Sequence, residues 1–321
     1  MSAQFTIPIP GVSAGHAEDL KVLTGATAFV FEQPATAAVH IMGAAPGTRE
    51  TELLAPENTV DEIDAIVFAG GSAFGLDAAG GVQAWLREHN RGRLLEPVRI
   101  PIVPCAILFD MRNGGDKDWG RYSPYRELGY AAACNQTGTP RLGAVGAAIG
   151  AQTATTPGGF GMAASAFANG QILSCAAVNA VGSPMIGDTR HFWAAPFEEN
   201  DEFGGYGLPE PWPADARLPR TKSSPSELGV NTTLGLVVTD IALTAAEAKQ
   251  VAVSAHDGFA RALYPVHTAA DGDLIFVVST GRVTQEPARF GELGTLAANT
   301  MSRAIARGVY EASRSPAEHA D

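Results

Sequence analysis

The sequence predicts an α/β fold in which helices cover sheet, and three observations carry that reading. Apolar runs of strand length alternate with longer stretches of helical period along most of the chain. Of the 321 residues, 45% are hydrophobic and only 17% charged, enough apolar material for a large core. Glycine (36 residues) and alanine are abundant while aromatics make up 7%, which suits helices packed tightly on sheets.

In chain order, residues 27–31 and 38–42 read as strands, the second followed by the turn-rich 43–47. Residues 65–69 form a buried-strand pattern, and Gly70, Gly71 and Ser72 then open a helix-like segment over 76–87. Another apolar run covers 102–109, a Gly/Ala-rich stretch covers 142–155, and 173–181 reads as a strand with Asn179 near its end. From 183 to 229 Pro, Gly and charge dominate, as in 198–202 and 209–213. No period survives there, which predicts a long surface connection of low order. Order returns abruptly at Thr232. Residues 234–238 read as a strand, and Thr244 with Glu247 makes a capping box. An amphipathic helix follows over 245–263, burying Val251, Ala255 and Phe259. A strand over 274–279 and a helix over 293–310 complete the chain, and no internal repeat is present.

Composition also excludes function classes. A formal charge of −12 without any basic stripe argues against nucleic acid, which needs clustered Lys and Arg. Cys105, Cys134 and Cys175 are widely spaced and form no CxxC unit, so buried free thiols and a cytoplasmic setting are expected. No basic and apolar leader opens the chain, and no run of about 18 apolar residues predicts a membrane span. Gly70, Gly71 and Ser72 lack the spacing of a dinucleotide or P-loop fingerprint, so no nucleotide site is expected. His256 and His267 have no further ligand at metal spacing and read as structural, so neither a metal nor another cofactor is expected.

The junction between Asn231 and Thr232 is the most informative place in the sequence. A hydroxyl residue at the start of a buried strand, just after a poorly ordered segment, meets the requirement for intramolecular processing. The Thr232 hydroxyl can attack the Asn231 carbonyl, and water then releases a new N-terminus. The freed α-amine has a reference pKa of about 7.7–8.0 and can take the proton of its own hydroxyl. Against this stands a bland reading. Asn-Thr-Thr is also a glycosylation sequon, as is Asn135-Gln136-Thr137, and most Asn-Thr pairs are turns before strands.

The surrounding motifs weigh further. G-V-N-T-T-L-G-L-V-V-T-D at 229–240, A-H-D-G-F-A-R-A at 255–262 and P-V-H-T-A-A-D-G-D at 265–273 resemble the DmpA-like L-aminopeptidase/D-esterase family. They are most similar to its branch with Asn-Thr cleavage sites, which includes the nylon-oligomer endohydrolases. A-P-G-T-R-E-T-E-L-L at 45–54, F-A-G-G-S-A-F-G-L at 68–76, P-I-V-P at 101–104 and V-N-A-V-G at 178–182 resemble the family's front half in the same order.

The resemblance implies a layered αββα sandwich in one domain over 1–321. It implies self-cleavage into a large subunit, 1–231, and a small subunit, 232–321, assembled as a homo-oligomer, a tetramer of cleaved pairs. It implies hydrolysis of short peptides, β-peptides or oligoamides by an N-terminal Thr232 through an acyl-enzyme. Asn179 would then donate to the oxyanion, while Asp271 and Asp273, either side of Gly272, would hold the Thr232 amine or hydroxyl. Gly70, Gly71 and Ser72 would let backbone approach the substrate, and Tyr122 or Tyr125 would bring a phenol near the nucleophile. One departure stands out. Many relatives carry a Lys in the stretch corresponding to 142–161, and this chain has none there. Two rival readings keep the architecture: an acyltransferase of the ornithine acetyltransferase type, and an uncleaved binding protein without catalysis.

Overall fold

The computed structural model describes residues 3–60, 62–222, 231–284, 286 and 289–314. The chain opens with an antiparallel pair, β1 (Val12–Asp19) and the long β2 (Thr24–Ile41), in register from Val12 opposite Phe31 to Asp19 opposite Thr24. Then come β3 (Thr48–Arg49), β4 (Glu62–Ala69), α1 (Ala78–Glu88) and an outlying hairpin of β5 (Arg93–Leu95) and β6 (Val98–Ile100). They are followed by β7 (Cys105–Ile107), α2 (Tyr125–Cys134), β8 (Gly159–Phe167) and β9 (Gly170–Asn179). Beyond the connection lie β10 (Thr232–Ile241), α3 (Ala245–Ala262), β11 (Leu274–Val283) and α4 (Phe290–Arg314).

Among the described residues nine strands join in one sheet, ordered β3-β7-β4-β2-β11-β10-β9-β8, with β1 added against β2. Most neighbours run antiparallel, but β10 is parallel to β11 and β4 to β7. The ladder between β2 and β4 shifts between Val30 and Ala35, and there β2 passes from one layer to the other. Side chains alternate across each strand, so burial on both faces separates three cores. Ala26, Ala28 and Val30 of β2 and Ala65, Val67 and Ala69 of β4 face outward onto α1 and α2. Phe29, Phe31, Ile66 and Phe68 face inward and meet Leu173, Leu234, Leu236 and Phe276 from the other half of the sheet. The Phe68 and Phe276 rings stack across that middle core with centroids 6.4 Å apart. Val237, Ile275 and Val277 face outward again onto Val251, Ala255 and Phe259 of α3 and Met301, Ala304 and Ile305 of α4. Helix pair, sheet, sheet, helix pair is the αββα sandwich that the motif resemblance implied.

Several elements follow directly from the residue pattern. α3 starts at the expected capping box: Glu247 N–H donates to Thr244 Oγ1 at 3.2 Å, and Thr244 N–H donates to Glu247 Oε2 at 2.8 Å. β10 is buried at every position, as expected of a strand covered on both faces. Other expectations need correction. The two front strands at 27–31 and 38–42 belong to one long strand, β2, and β1, β8 and α2 are elements that the sequence pattern does not separate out. Cys105 and Cys175 are buried free thiols, whereas Cys134 is an exposed one on α2.

The largest correction concerns the connection. Residues 183–222 are irregular but packed, with Phe192, Ala194, Phe203 and Ala216 buried. Its charges are anchored as well. Arg303 of α4 pairs with Glu202 in two places and with Glu199 at 2.9 Å. Residues 223–229, the last part of the expected connection, lie outside the described residues. Among the described residues, no helix is long and apolar enough to cross a membrane.

The polar interior sets an acid limit. Buried His16 donates from Nε2 to the Arg141 carbonyl at 3.1 Å and accepts the Thr27 hydroxyl on Nδ1 at 3.0 Å. Burial holds its pKa down to about 3, and likewise that of buried His256. The unfolded chain binds those protons near pH 6.5, so the stability is present above that pH and lost as pH falls toward the folded value. Each histidine should cost about 2 kcal/mol of stability at pH 5 relative to pH 7. Thermal melts across that range should show a falling midpoint, and a shallower fall for His16→Gln. An identical slope in the variant would remove His16 from this account.

Candidate active site

β10 begins at Thr232, and the ladders on both sides of it fix the junction. Thr232 stands opposite Asn179, the last residue of β9. On the other side a parallel bridge pairs Asn231 with Asp271, extending the β10–β11 ladder beyond Leu234 and Leu274. Asn231 and Thr232 are 0% and 3% exposed, so the peptide bond between them lies in the interior. The oxygen of that bond receives two donors: the Thr232 hydroxyl at 2.5 Å and the Gly272 N–H at 2.9 Å. The Gly272 N–H is placed to stabilise negative charge developing on that oxygen.

Gly272 has to be glycine. A methyl group on it would sit 2.6 Å from Thr232 Oγ1 and would collide with the Ala45 carbonyl. Residues 271–273 are in turn held on the end of β2 and the following turn. Ala45 N–H donates to the Asp271 carbonyl at 2.9 Å, and Met42 and Gly43 N–H donate to that of Asp273 at 3.0 Å.

The two carboxylates flanking Gly272 are buried and fully engaged. Asp271 Oδ1 accepts the Val181 N–H at 3.2 Å, and its Oδ2 accepts the Thr268 N–H and hydroxyl at 2.9 and 2.8 Å. Asp273 Oδ1 accepts the Thr233 N–H at 2.8 Å, and its Oδ2 accepts Nδ1–H of His267 at 2.8 Å. Burial, followed by the charge of Asp273, pushes the Asp271 pKa up to about 6. Of these donors the Thr233 N–H directly follows Thr232, so Asp273 braces the start of β10.

Asn179 occupies the facing strand. Its Nδ2 donates to the Phe109 carbonyl at 3.0 Å, while its Oδ1 accepts the Gln152 N–H at 3.1 Å and Lys222 Nζ at 3.0 Å. Lys222 also donates to the Gln152 carbonyl at 2.8 Å, inside the 142–161 stretch that carries no Lys of its own. Burial lowers its pKa to about 7, against the opposing charge of Asp271.

The Gly70–Ser72 turn is a scaffold behind this wall. Gly71 N–H donates to Asp110 Oδ1 at 2.7 Å, and Asp110 directly follows Phe109, the acceptor for Asn179. Gly71 has φ +83°, and any side chain on it would meet the Tyr125 ring. Tyr125 is buried with its hydroxyl on Thr24 Oγ1 at 3.1 Å, whereas Tyr122 is 81% exposed. No group of three or more His, Cys, Asp or Glu among the described residues is placed to hold a metal ion.

Sequence reasoning missed three contributors. Gly272 was read only as the middle of an Asp-Gly-Asp turn. Lys222 sits in a segment without any period. His267, read as structural, grips Asp273 and is held at φ +53°, a left-handed conformation uncommon outside glycine. Its ring also stacks on Phe259, with centroids 5.6 Å apart.

Comparison with known proteins places the chain in a family. The sequence model described as peptidase family S58 matches residues 7–320. An uncharacterised aminopeptidase of Mycobacterium tuberculosis is 37% identical over 293 residues, covering 86% of this chain and 82% of its own length. A 6-aminohexanoate-oligomer endohydrolase of a Kocuria strain is 28% identical over 311 residues, covering 90% of this chain and 79% of its own length. Among solved structures, the L-aminopeptidase D-Ala-esterase/amidase of Ochrobactrum anthropi superposes with a TM-score of 0.70 at 16% identity. That match covers 97% of this chain and 88% of the other, and its fold is described as a variant of the Ntn-hydrolase fold. With a match over nearly its whole length, this chain belongs to peptidase family S58 and is a hydrolase of amide bonds.

Proposed function

We propose that this amide hydrolase matures by cutting its own chain between Asn231 and Thr232. Thr232 then serves as an N-terminal nucleophile toward short peptides or oligoamides. The Asn231 carbonyl carries the reading, because its oxygen receives both the Thr232 hydroxyl and the Gly272 N–H at a buried bond.

Self-cleavage begins when Thr232 Oγ1 attacks the Asn231 carbonyl carbon and loses its proton. The carbonyl oxygen takes up the negative charge, and Gly272 N–H stabilises it. Collapse breaks the C–N bond, the nitrogen leaves as an amine carrying the proton given up by the hydroxyl, and an ester joins Asn231 to Oγ1. Water hydrolyses that ester, leaving a carboxylate on Asn231 and a free hydroxyl on Thr232.

In turnover the neutral amine takes the hydroxyl proton while Oγ1 attacks the substrate amide. The ammonium returns the proton to the leaving amine, and water then releases the acyl group. Gly272 N–H serves the substrate oxyanion as it served that of Asn231. Asn179 keeps one Nδ2 hydrogen on Phe109 and offers the second to the same oxyanion. Asp271 and Asp273 favour the ammonium form of the nucleophile's amine by charge. Relatives named as aminopeptidases and as a 6-aminohexanoate-oligomer endohydrolase support amine-terminated short amides as substrates, nylon oligomers included.

Intact mass and N-terminal sequencing test the junction. The purified protein should consist of 1–231 and a fragment starting at Thr232, and should hydrolyse at least one of an aminoacyl anilide, a β-dipeptide and a 6-aminohexanoate oligomer. Thr232→Ala should fold, stay in one piece and lose hydrolysis, whereas Thr232→Ser should keep part of both reactions. Wild-type turnover in a folded, uncut Thr232→Ala protein would refute the mechanism.

Gly272→Ala probes the close fit that sets the Gly272 N–H on the Asn231 oxygen. The added methyl forces Thr232 Oγ1 or the 271–273 backbone aside, so self-cleavage should slow by about 10²–10³-fold, as for loss of one oxyanion donor. A gel time course reads the rate. Cleavage at the parental rate would show that the close fit at Gly272 does not set the geometry of the junction.

A further inference from the structure

Lys222 is the one ammonium group bonded to Asn179 among the described residues, and it comes from the segment that leads to the junction. We propose that Lys222 is a positioning residue whose ammonium fixes the Asn179 amide in the orientation the oxyanion requires. This rests on Thr232 as the nucleophile and adds a cation that the chemistry above does not use.

The bonding is specific. A protonated lysine has three N–H donors and no acceptor. Three oxygens surround Nζ: the Gln152 carbonyl at 2.8 Å, Asn179 Oδ1 at 3.0 Å and the Asn179 carbonyl at 3.4 Å. Asn179 can therefore sit only one way round. Turning its amide over would set the NH2 group against two donors, Lys222 Nζ and Gln152 N–H, and the oxygen against the Phe109 carbonyl. Lys222 is also tied by its backbone, since its N–H donates to the Val181 carbonyl at 2.9 Å. Val181 N–H in turn binds Asp271, the charged group that acts on the lysine. After cleavage the Thr232 amine, opposite Asn179, is a second. Burial brings the lysine pKa to about 7, so above neutrality the amine loses its charge and keeps two N–H donors for three oxygens, which weakens its hold on Asn179. The rate should then rise as the Thr232 amine deprotonates and fall as Lys222 does.

The test compares Lys222→Met, Lys222→Arg, Asn179→Ala and the Met/Ala double variant, with melting curves to match folding. Self-cleavage is read on gels, and turnover on whichever amide of the panel above the parent cleaves. Lys222→Met should lower kcat and the self-cleavage rate about ten- to a hundredfold, the effect of removing a charged hydrogen bond, with KM nearly unchanged. In the Asn179→Ala background it should cost little, because the group it orients is gone. Lys222→Arg keeps a charge that no working pH removes, so its alkaline fall should move to higher pH. Where Lys222→Met does not fold, the Arg profile decides. Parental rates in Lys222→Met, full additivity with Asn179→Ala, or an unmoved alkaline fall in the Arg variant would each overturn the proposal. Thr232→Ala measured alongside separates the readings. If it stays active the nucleophile is wrong, whereas an inactive Thr232→Ala beside an indifferent Lys222→Met removes the positioning role alone.

Discussion

Burial of β10 on both faces is the constraint on which the site depends. All ten residues of that strand are buried, with β9 on one side and β11 on the other. Its first residue therefore has no freedom to swing, and its first peptide bond inherits the precision of two ladders. That is how a backbone N–H at Gly272 comes to lie on the Asn231 oxygen without a dedicated loop to carry it. The antiparallel neighbour contributes a side chain, Asn179, and the parallel neighbour contributes main chain.

The polar groups behind this geometry form a bonded network around the junction. Asp271, Asp273, Lys222 and Asn179 are each bonded to backbone or to one another. Buried charges persist only when so compensated. Burial pushes the Asp271 acid up and pulls the Lys222 ammonium down, each shift disfavouring the charged form.

Legibility in the sequence followed physical scale. β10 and β11 were visible as unbroken apolar runs and α3 and α4 by a helical period, and the capping box marked the start of α3. β8 was hidden by its small residues, since Gly159 and Gly161 pack against Gly308 of α4 where a larger apolar side chain would have signalled burial. The packed nature of 183–222 was invisible because it rests on isolated anchors, Phe192, Phe203 and the Glu202–Arg303 pair, separated by Pro and Gly. Within the site, Thr232, Asn179 and the two aspartates stood at recognisable motif positions. Gly272 acts through its main chain, and Lys222 through a tertiary contact across 43 residues of sequence. Neither kind of contribution leaves a pattern in composition or spacing.

The ladder between β9 and β10 joins a strand from before the junction to one from after it, and 183–222 is clamped to α4 by Arg303. Folding can therefore proceed as a single-molecule event, with both halves at the high effective concentration of one chain. Cutting at Asn231, as proposed, would come only after that pairing is complete. The cut would cost no contact that holds the halves together, yet it would remove the tether by which they first found each other. A protein matured in this way could be unfolded as two pieces but would have to refold by bimolecular encounter, so its durability would be set by how slowly it opens.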